Sequence, residues 1–262
     1  MSGDLVTLKM DGDVAVVTLN DPATLNALSY AMGEQFQNVL DTVEKQARAM
    51  LLTGAGRGFC SGANLNGGFP SVKPEPADID CGVGLETSIN PMVSRLRDLS
   101  LPWISAVRGV AAGGGAPLAL SADLVVASEN ARFVLAFARI GLVPDAGSFH
   151  ILVRTIGRVR ANELMLLGGE LSATEAKTVG LVNRVVPDDD LDAEALALAN
   201  RLAQAPASTR AVRRMTWAAL DANWHDMLWT ERVEQRAAGR TDDFSEGVAA
   251  FREKRPARFT GA

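Results

Sequence analysis

Two glycine-rich loops, each directly after a short apolar run, constrain this chain more than any other feature. Ala49-Met50-Leu51-Leu52 leads into Thr53-Gly54-Ala55-Gly56-Arg57-Gly58, and Trp103 to Val107 leads to Gly109 and then Gly113-Gly114-Gly115. Apolar runs of this length bounded by glycine read as buried strands. Strands alternating with helical segments make an α/β fold the expectation. The first N–H groups of a helix have no internal partner and carry partial positive charge. Ser61-Gly62-Ala63-Asn64-Leu65 is therefore expected to open a helix with free amides, and the triple glycine to open a second helix that reaches Ser121. Two such amides aimed at one carbonyl oxygen would make an oxyanion hole.

The rest of the chain can be placed around these loops. Leu5 to Met10 and Val14 to Leu19 read as strands joined at Asp11-Gly12-Asp13, since Asp-Gly is a hairpin signal. Ser29 is placed to cap a helix running to about Ala47, with Phe36, Val39, Leu40 and Val43 on one face. Residues 66–90, rich in Gly, Pro and Asp, read as a mobile binding loop. Leu124 to Ala127, Arg132 to Leu135 and Val182 to Val186 read as further strands. Strand-strand-helix units recur loosely. The division expected is a strand-rich core over 1–190 and a helical region over 191–262.

Composition excludes several classes. The formal net charge of −5 argues against a nucleic-acid binder. No run is apolar and long enough for a membrane span, and the N-terminus has no secretory signal pattern. Cys60 and Cys81 imply no disulfide framework, so a reducing, cytoplasmic location is expected. With His150 and His225 they lack metal-ligand spacing, so neither a metal nor a redox cofactor is expected. The first loop superficially resembles a dinucleotide loop, but the third glycine of Gly-x-Gly-x-x-Gly would fall on Ser61. The single tyrosine, Tyr30, is followed four residues on by Glu34, which rules out a Tyr-x-x-x-Lys reductase site.

Four segments together carry a family resemblance. Gly56-Arg57-Gly58-Phe59-Cys60-Ser61-Gly62-Ala63-Asn64-Leu65 and Ala106-Val107-Arg108-Gly109-Val110-Ala111-Ala112-Gly113-Gly114-Gly115 resemble the two oxyanion-hole segments of the crotonase (enoyl-CoA hydratase/isomerase) superfamily. Asp21-Pro22 through Asn26-Ala27-Leu28 resembles its early CoA-contacting turn. Ala131-Arg132-Phe133 through Gly141-Leu142-Val143-Pro144-Asp145-Ala146-Gly147 resembles its catalytic strand and turn. The resemblance spans residue 5 to the C-terminus. It implies a spiral of ββα units with a C-terminal helical part, Ala63 and Gly114 as oxyanion donors, and a coenzyme A thioester as substrate rather than cofactor. The thioester is then expected against Leu25, Ala27, Ser61, Asn64, Leu65, Phe137 and Pro144. Lys254, within the basic run Arg252, Lys254, Arg255 and Arg258, is expected at the CoA phosphates, although a solvated tail explains that run equally. Homotrimers or homohexamers are implied too, with Trp217, Trp224 and Trp229 available for subunit contacts or the local core.

The acid/base group sets the reaction in this superfamily. Hydratases resemble one another in using two glutamates, whose positions here hold Pro117 and Phe137. Neither can transfer a proton. Asp145 is acidic where hydratases carry glycine, and Gly-Leu-Val-Pro-Asp-Ala-Gly resembles the enoyl-CoA isomerase branch, which includes ring-opening isomerases of aromatic CoA epoxides. Phe133, Val134, Leu135, Phe137, Ile140, Leu142 and Val143 are expected to give Asp145 an apolar setting that raises its pKa. Hence the expectation of a 3-enoyl-CoA to 2-enoyl-CoA isomerase with Asp145 as proton shuttle. Rival readings are an Asp145 nucleophile of the dehalogenase type, a dienoyl-CoA isomerase (poorly matched at Pro117 and Phe137), and a non-catalytic acyl-CoA binder in which Asp145 caps the next helix. His150 is expected to be a satisfied structural histidine. Asp78, Asp80 and Glu86 are expected to be solvated loop charges.

Overall fold

The computed structural model describes residues 3–65 and 80–261. Strand β1 (Val6–Asp11) turns at Gly12 and pairs antiparallel with β2 (Val14–Leu19). Helix α1 (Tyr30–Gln46) follows, capped by Ser29, whose hydroxyl accepts from the Met32 N–H. That cap satisfies one of the orphan donors of the first turn, and Phe36, Leu40 and Val43 face inward at helical spacing. Strands β3 (Ala49–Gly54), β4 (Trp103–Val107), β6 (Leu124–Ser128) and β9 (Arg184–Val186) extend the sheet in parallel, in the order β1-β2-β3-β4-β6-β9. Covered on both faces, β4 is buried throughout, which is why it reads as continuous apolar sequence.

A second sheet is made of β5 (Val110–Ala112), β7 (Arg132–Val134) and β8 (Glu170–Ser172). The chain therefore alternates between sheets: β4 then β5 then α4 (Gly115–Leu120), and β6 then β7 then α5 (Ser148–Leu167). This is the expected spiral of ββα units. Helix α6 (Ala173–Thr178) carries a capping box between Ser172 and Glu175 and leads into β9. The main core lies between the six-stranded sheet, α1 and the second sheet, around Trp103, Phe36, Phe59 and Phe133. A smaller core lies on the sheet's other face, where α7 (Leu191–Ala203) packs Leu191, Ala195 and Leu198 against Val14, Leu51 and Val126.

The helical region is thus anchored by its first helix. Helices α8 (Ser208–Ala218), α9 (Trp224–Ala238) and α10 (Asp242–Glu253) complete it. The buried Arg213 of α8 bonds the Asp123 carboxylate and the carbonyls of Leu96 and Arg97. Trp217 donates to Asp123 and stacks on His150, so it serves the local core, whereas Trp224 and Trp229 are exposed.

Several expectations are corrected. Residues 66–79 of the expected loop lie outside the described residues, but the remainder is not a loop. α2 (Gly82–Gly84) and a π-turn (Leu85–Ile89) run straight into α3 (Asn90–Asp98). Pro91 stands where the π-turn passes into α3, so its missing N–H falls at that break in the α-helical pattern, and Ile89, Met92 and Leu96 face the core. Strands β5 and β8 appear where none was read. The expected strand Val182 to Val186 begins only at Arg184. None of Ser61 to Leu65 is itself helical, and the residues that would continue the expected helix lie outside the described ones. Ala63 instead forms an isolated parallel bridge with Leu28.

Candidate active site

The two loops meet because the chain between β2 and α1 holds one of them and β5 holds the other. Residues 24–28 run beside 61–64. The Ser61 N–H donates to Leu25 O at 2.9 Å, Leu28 N–H to Gly62 O at 2.7 Å, and Asn64 N–H to Leu28 O at 2.8 Å. The Ser61 hydroxyl donates to Thr24 O at 2.8 Å. On the other side Cys60 bridges Ala111, with Ala112 N–H donating to Cys60 O at 2.8 Å. Gly62 has φ +91, and a Cβ there would lie 2.8 Å from Ala112 O and 3.3 Å from Gly113 Cα. Only glycine lets these loops approach so closely. Neither the Ala63 N–H nor the Gly114 N–H donates to a backbone carbonyl of the described residues.

Asp145 stands against Gly114. A Cβ on Gly114 would be 3.7 Å from Asp145 Oδ1 and 3.6 Å from Leu28 Cδ1. The main-chain carbonyl of Asp145 is fixed by Ser148, whose N–H and hydroxyl both donate to it. Its carboxylate makes no hydrogen bond or ion pair with the described residues. Burial pushes its pKa up, from the usual carboxylate range to about 6. The alternative of a helix cap does not hold: Gly147 is the N-cap of α5, and no side chain caps it.

The apolar setting of Asp145 is narrower than expected. Phe133, Val134, Leu135 and Phe137 are buried, but Ile140, Leu142 and Val143 are exposed. Phe137 sits in the 3-10 turn Ala136–Ile140, and Leu142 N–H donates to its carbonyl. That turn rotates the following residues outward. Pro144 is half-buried beside Asp145. Strain concentrates here: Leu25, Asn26 and Ala146 are three of the four non-glycine residues with positive φ among the described residues. Each such residue costs on the order of 1–2 kcal/mol.

The remaining expected residues divide. Leu25, Ala27, Ser61, Asn64 and Leu65 lie together on the clamped segments, with Ala27 buried and Leu65 exposed. Lys254 is the left-handed C-cap of α10, its N–H donating to Phe251 O. Within the same run Arg255 pairs with Glu246 and Glu253. His150 is not a satisfied histidine: its Nε2 is buried without a partner among the described residues, and its ring faces Trp217 in a cavity of about 430 Å³ that does not include Asp145. Asp80 and Glu86 are exposed, and Asp78 lies outside the described residues. No group of His, Cys, Asp or Glu able to hold a metal ion occurs among the described residues, and none of the described helices is long and apolar enough to cross a membrane.

The sequence from residue 9 to 262 matches the enoyl-CoA hydratase/isomerase family model. The chain belongs to that family, the crotonase superfamily. It is 42% identical to the 1,2-epoxyphenylacetyl-CoA isomerase of Escherichia coli, over 98% of this chain and 99% of that one. It is 39% identical to a probable enoyl-CoA hydratase of Rhodobacter capsulatus, over the full length of both. The crystal structure of an enoyl-CoA hydratase from Bacillus anthracis superposes with a TM-score of 0.89 at 31% identity, covering 98% of this chain and 100% of that one. These relatives carry both hydratase and isomerase names, so the crotonase enzyme is established while the choice between reactions falls to the site.

Proposed function

We propose that this enzyme is an acyl-CoA isomerase that moves a double bond from the 3- to the 2-position of an enoyl-CoA. The observation that carries the reading is the unpaired, partly desolvated Asp145 carboxylate against Gly114, combined with Pro117 and Phe137 where a hydratase would place its glutamates. Asp145 takes the proton from C2, and the C2–H electrons delocalise into the thioester. The resulting dienolate oxygen accepts hydrogen bonds from the Ala63 and Gly114 amides. Asp145 then returns the proton at C4, the double bond closes between C2 and C3, and no water is consumed. One carboxylate suffices when removal and return share a face. A carboxylate with a pKa near 6 is a stronger base than a solvated one and is still ionised at neutral pH.

The 42%-identical relative favours a second substrate class, a CoA thioester carrying an aromatic epoxide. The same amides and the same carboxylate would serve it, since proton removal beside the thioester is common to both. A homotrimer or homohexamer belongs to the same reading. It is supported by exposed Val159, Leu166, Leu167, Trp224, Trp229 and Phe251, large apolar side chains that a subunit contact would cover.

The test is to give the wild type a trans-3-enoyl-CoA and, separately, an aromatic-epoxide CoA thioester, following isomerisation and hydration in the same samples. Isomerisation without hydration is expected. The log of kcat/KM should fall with unit slope as pH drops below about 6, because protonation of Asp145 removes the base of the free enzyme. Hydration as the main reaction, or a rate indifferent to pH between 5 and 7, would overturn the single-base reading. Turnover of the epoxide alone would move the substrate class to the second reading.

A further inference from the structure

We propose that Asn26 is a positioning residue that sets the aim of the Ala63 N–H, a role that rests on reading Ala63 as an oxyanion donor. The side chain of Asn26 is fully buried. Its Nδ2 lies 2.9 Å from Ala55 O, 2.8 Å from Gly58 O and 3.2 Å from Phe59 O. Its Oδ1 accepts from the Asp21 N–H at 2.9 Å, and its own N–H donates to Asp21 O at 2.8 Å. One carboxamide thus closes the 21–26 turn and ties that turn to the loop leaving β3. Only an amide offers donors and an acceptor in this arrangement.

The consequence is felt two to three residues further along both segments. The turn fixed by Asn26 presents Leu25 O to Ser61 and the Leu28 N–H and carbonyl to Gly62 and Asn64. These bonds hold the residues on both sides of Ala63 and leave its N–H outside the ladder. The loop is thus fixed from one side by the Asn26 amide and from the other by the 24–28 segment that Asn26 shapes. Backbone conformation agrees, since Leu25 and Asn26 are both left-handed, at φ 57 and 58. Asparagine tolerates that region through local hydrogen bonds, whereas leucine holds it only when its surroundings enforce it. Gly54 gives a separate indication. A Cβ there would come within 2.8 Å of Asn26 Nδ2 and overlap the Phe59 carbonyl, so the site is built around the amide.

The test compares Asn26→Ala with wild type and Asp145→Asn, using steady-state kinetics on a trans-3-enoyl-CoA and the absorption of bound 2,4-hexadienoyl-CoA. The conjugated chromophore shifts to the red when amides polarise its thioester carbonyl, whatever the state of the base. For Asn26→Ala, kcat should fall about 100-fold, as when one oxyanion donor is lost, with KM changing little and the red shift shrinking. Asp145→Asn should keep the full red shift while losing turnover, which separates the two roles. Asn26→Ser, which retains one O–H donor, should fall between wild type and Asn26→Ala, and it carries the test if the alanine variant does not fold. Wild-type kcat and red shift in a folded Asn26→Ala or Asn26→Ser protein would overturn the proposal, as would a raised KM with unchanged kcat. A wild type that shifts the chromophore but does not isomerise would sink the isomerase reading, leaving the Asn26 role to be judged on the spectrum.

Discussion

Asp145→Asn should lower turnover by on the order of 10³-fold, near the middle of the range for a positioned acid/base group. Asparagine has the size and shape of the aspartate, so the turn at Pro144 to Gly147 and the hydrogen bonds from Ser148 to the main-chain carbonyl remain. What disappears is a group that can accept the C2 proton. The Ala63 and Gly114 amides are untouched, so affinity for a CoA ester should stay within a few-fold and a residual rate should survive from positioning alone. Stability offers an independent check with a definite sign. The folded-state pKa of Asp145 is raised to about 6, so between about pH 4 and 6 the native state holds a proton that the unfolded chain has released. Stability from this group is therefore lost as pH rises through that window, and above it the native state carries an unpaired, partly desolvated carboxylate. The asparagine variant should unfold at a higher urea concentration than wild type at pH 8, and the gain should vanish near pH 4. A variant that keeps its rate, or that is less stable than wild type at pH 8, would remove Asp145 from the role of buried base.

How much of this was legible follows from which interactions are local. Ser29 and the Phe36, Leu40, Val43 stripe define α1 within one helix, and β3 and β4 announce themselves as apolar runs because both their faces are covered. Strands β5 and β8 are three residues each, one of them Val-Ala-Ala and the other Glu-Leu-Ser, too short for a period. Helix α3 was obscured by the glycines and proline around it, yet Ile89, Met92 and Leu96 recur at helical spacing and were signal enough to find it. Asp145 could be singled out from its neighbours in sequence, but its environment could not. Ile140, Leu142 and Val143 turn outward, and the residue it stands against, Gly114, is remote in sequence. Asn26 was visible only as part of a turn, because its partners lie 29 to 33 residues away.

The largest effect on stability is expected from Arg213→Leu, far from the chemistry. Arg213 leaves α8 to reach the core, its side chain only 3% exposed, and bonds the Asp123 carboxylate at 2.7 Å together with the carbonyls of Leu96 and Arg97 at 2.8 and 2.7 Å. Asp123 is held in turn by the Trp103 N–H at 2.9 Å and more weakly by Trp217 Nε1 at 3.3 Å. Leucine fills part of the space but leaves the Asp123 charge without its cation and the carbonyls at the end of α3 without a donor. Breaking a buried pair from one side costs about 3–5 kcal/mol, a large share of the roughly 5–15 kcal/mol that keeps a typical domain folded. The loss should show as a lower urea midpoint. Because α7 is fastened to the sheet by its own apolar face, the damage should begin at α8, with early proteolysis between residues 204 and 223 before the core unfolds. Replacing both partners, Arg213→Leu with Asp123→Leu, should recover part of the loss, since no unpaired charge is left. A single variant as stable as wild type would show that α8 is held by its apolar contacts alone and that the ion pair contributes nothing to anchoring the helical region.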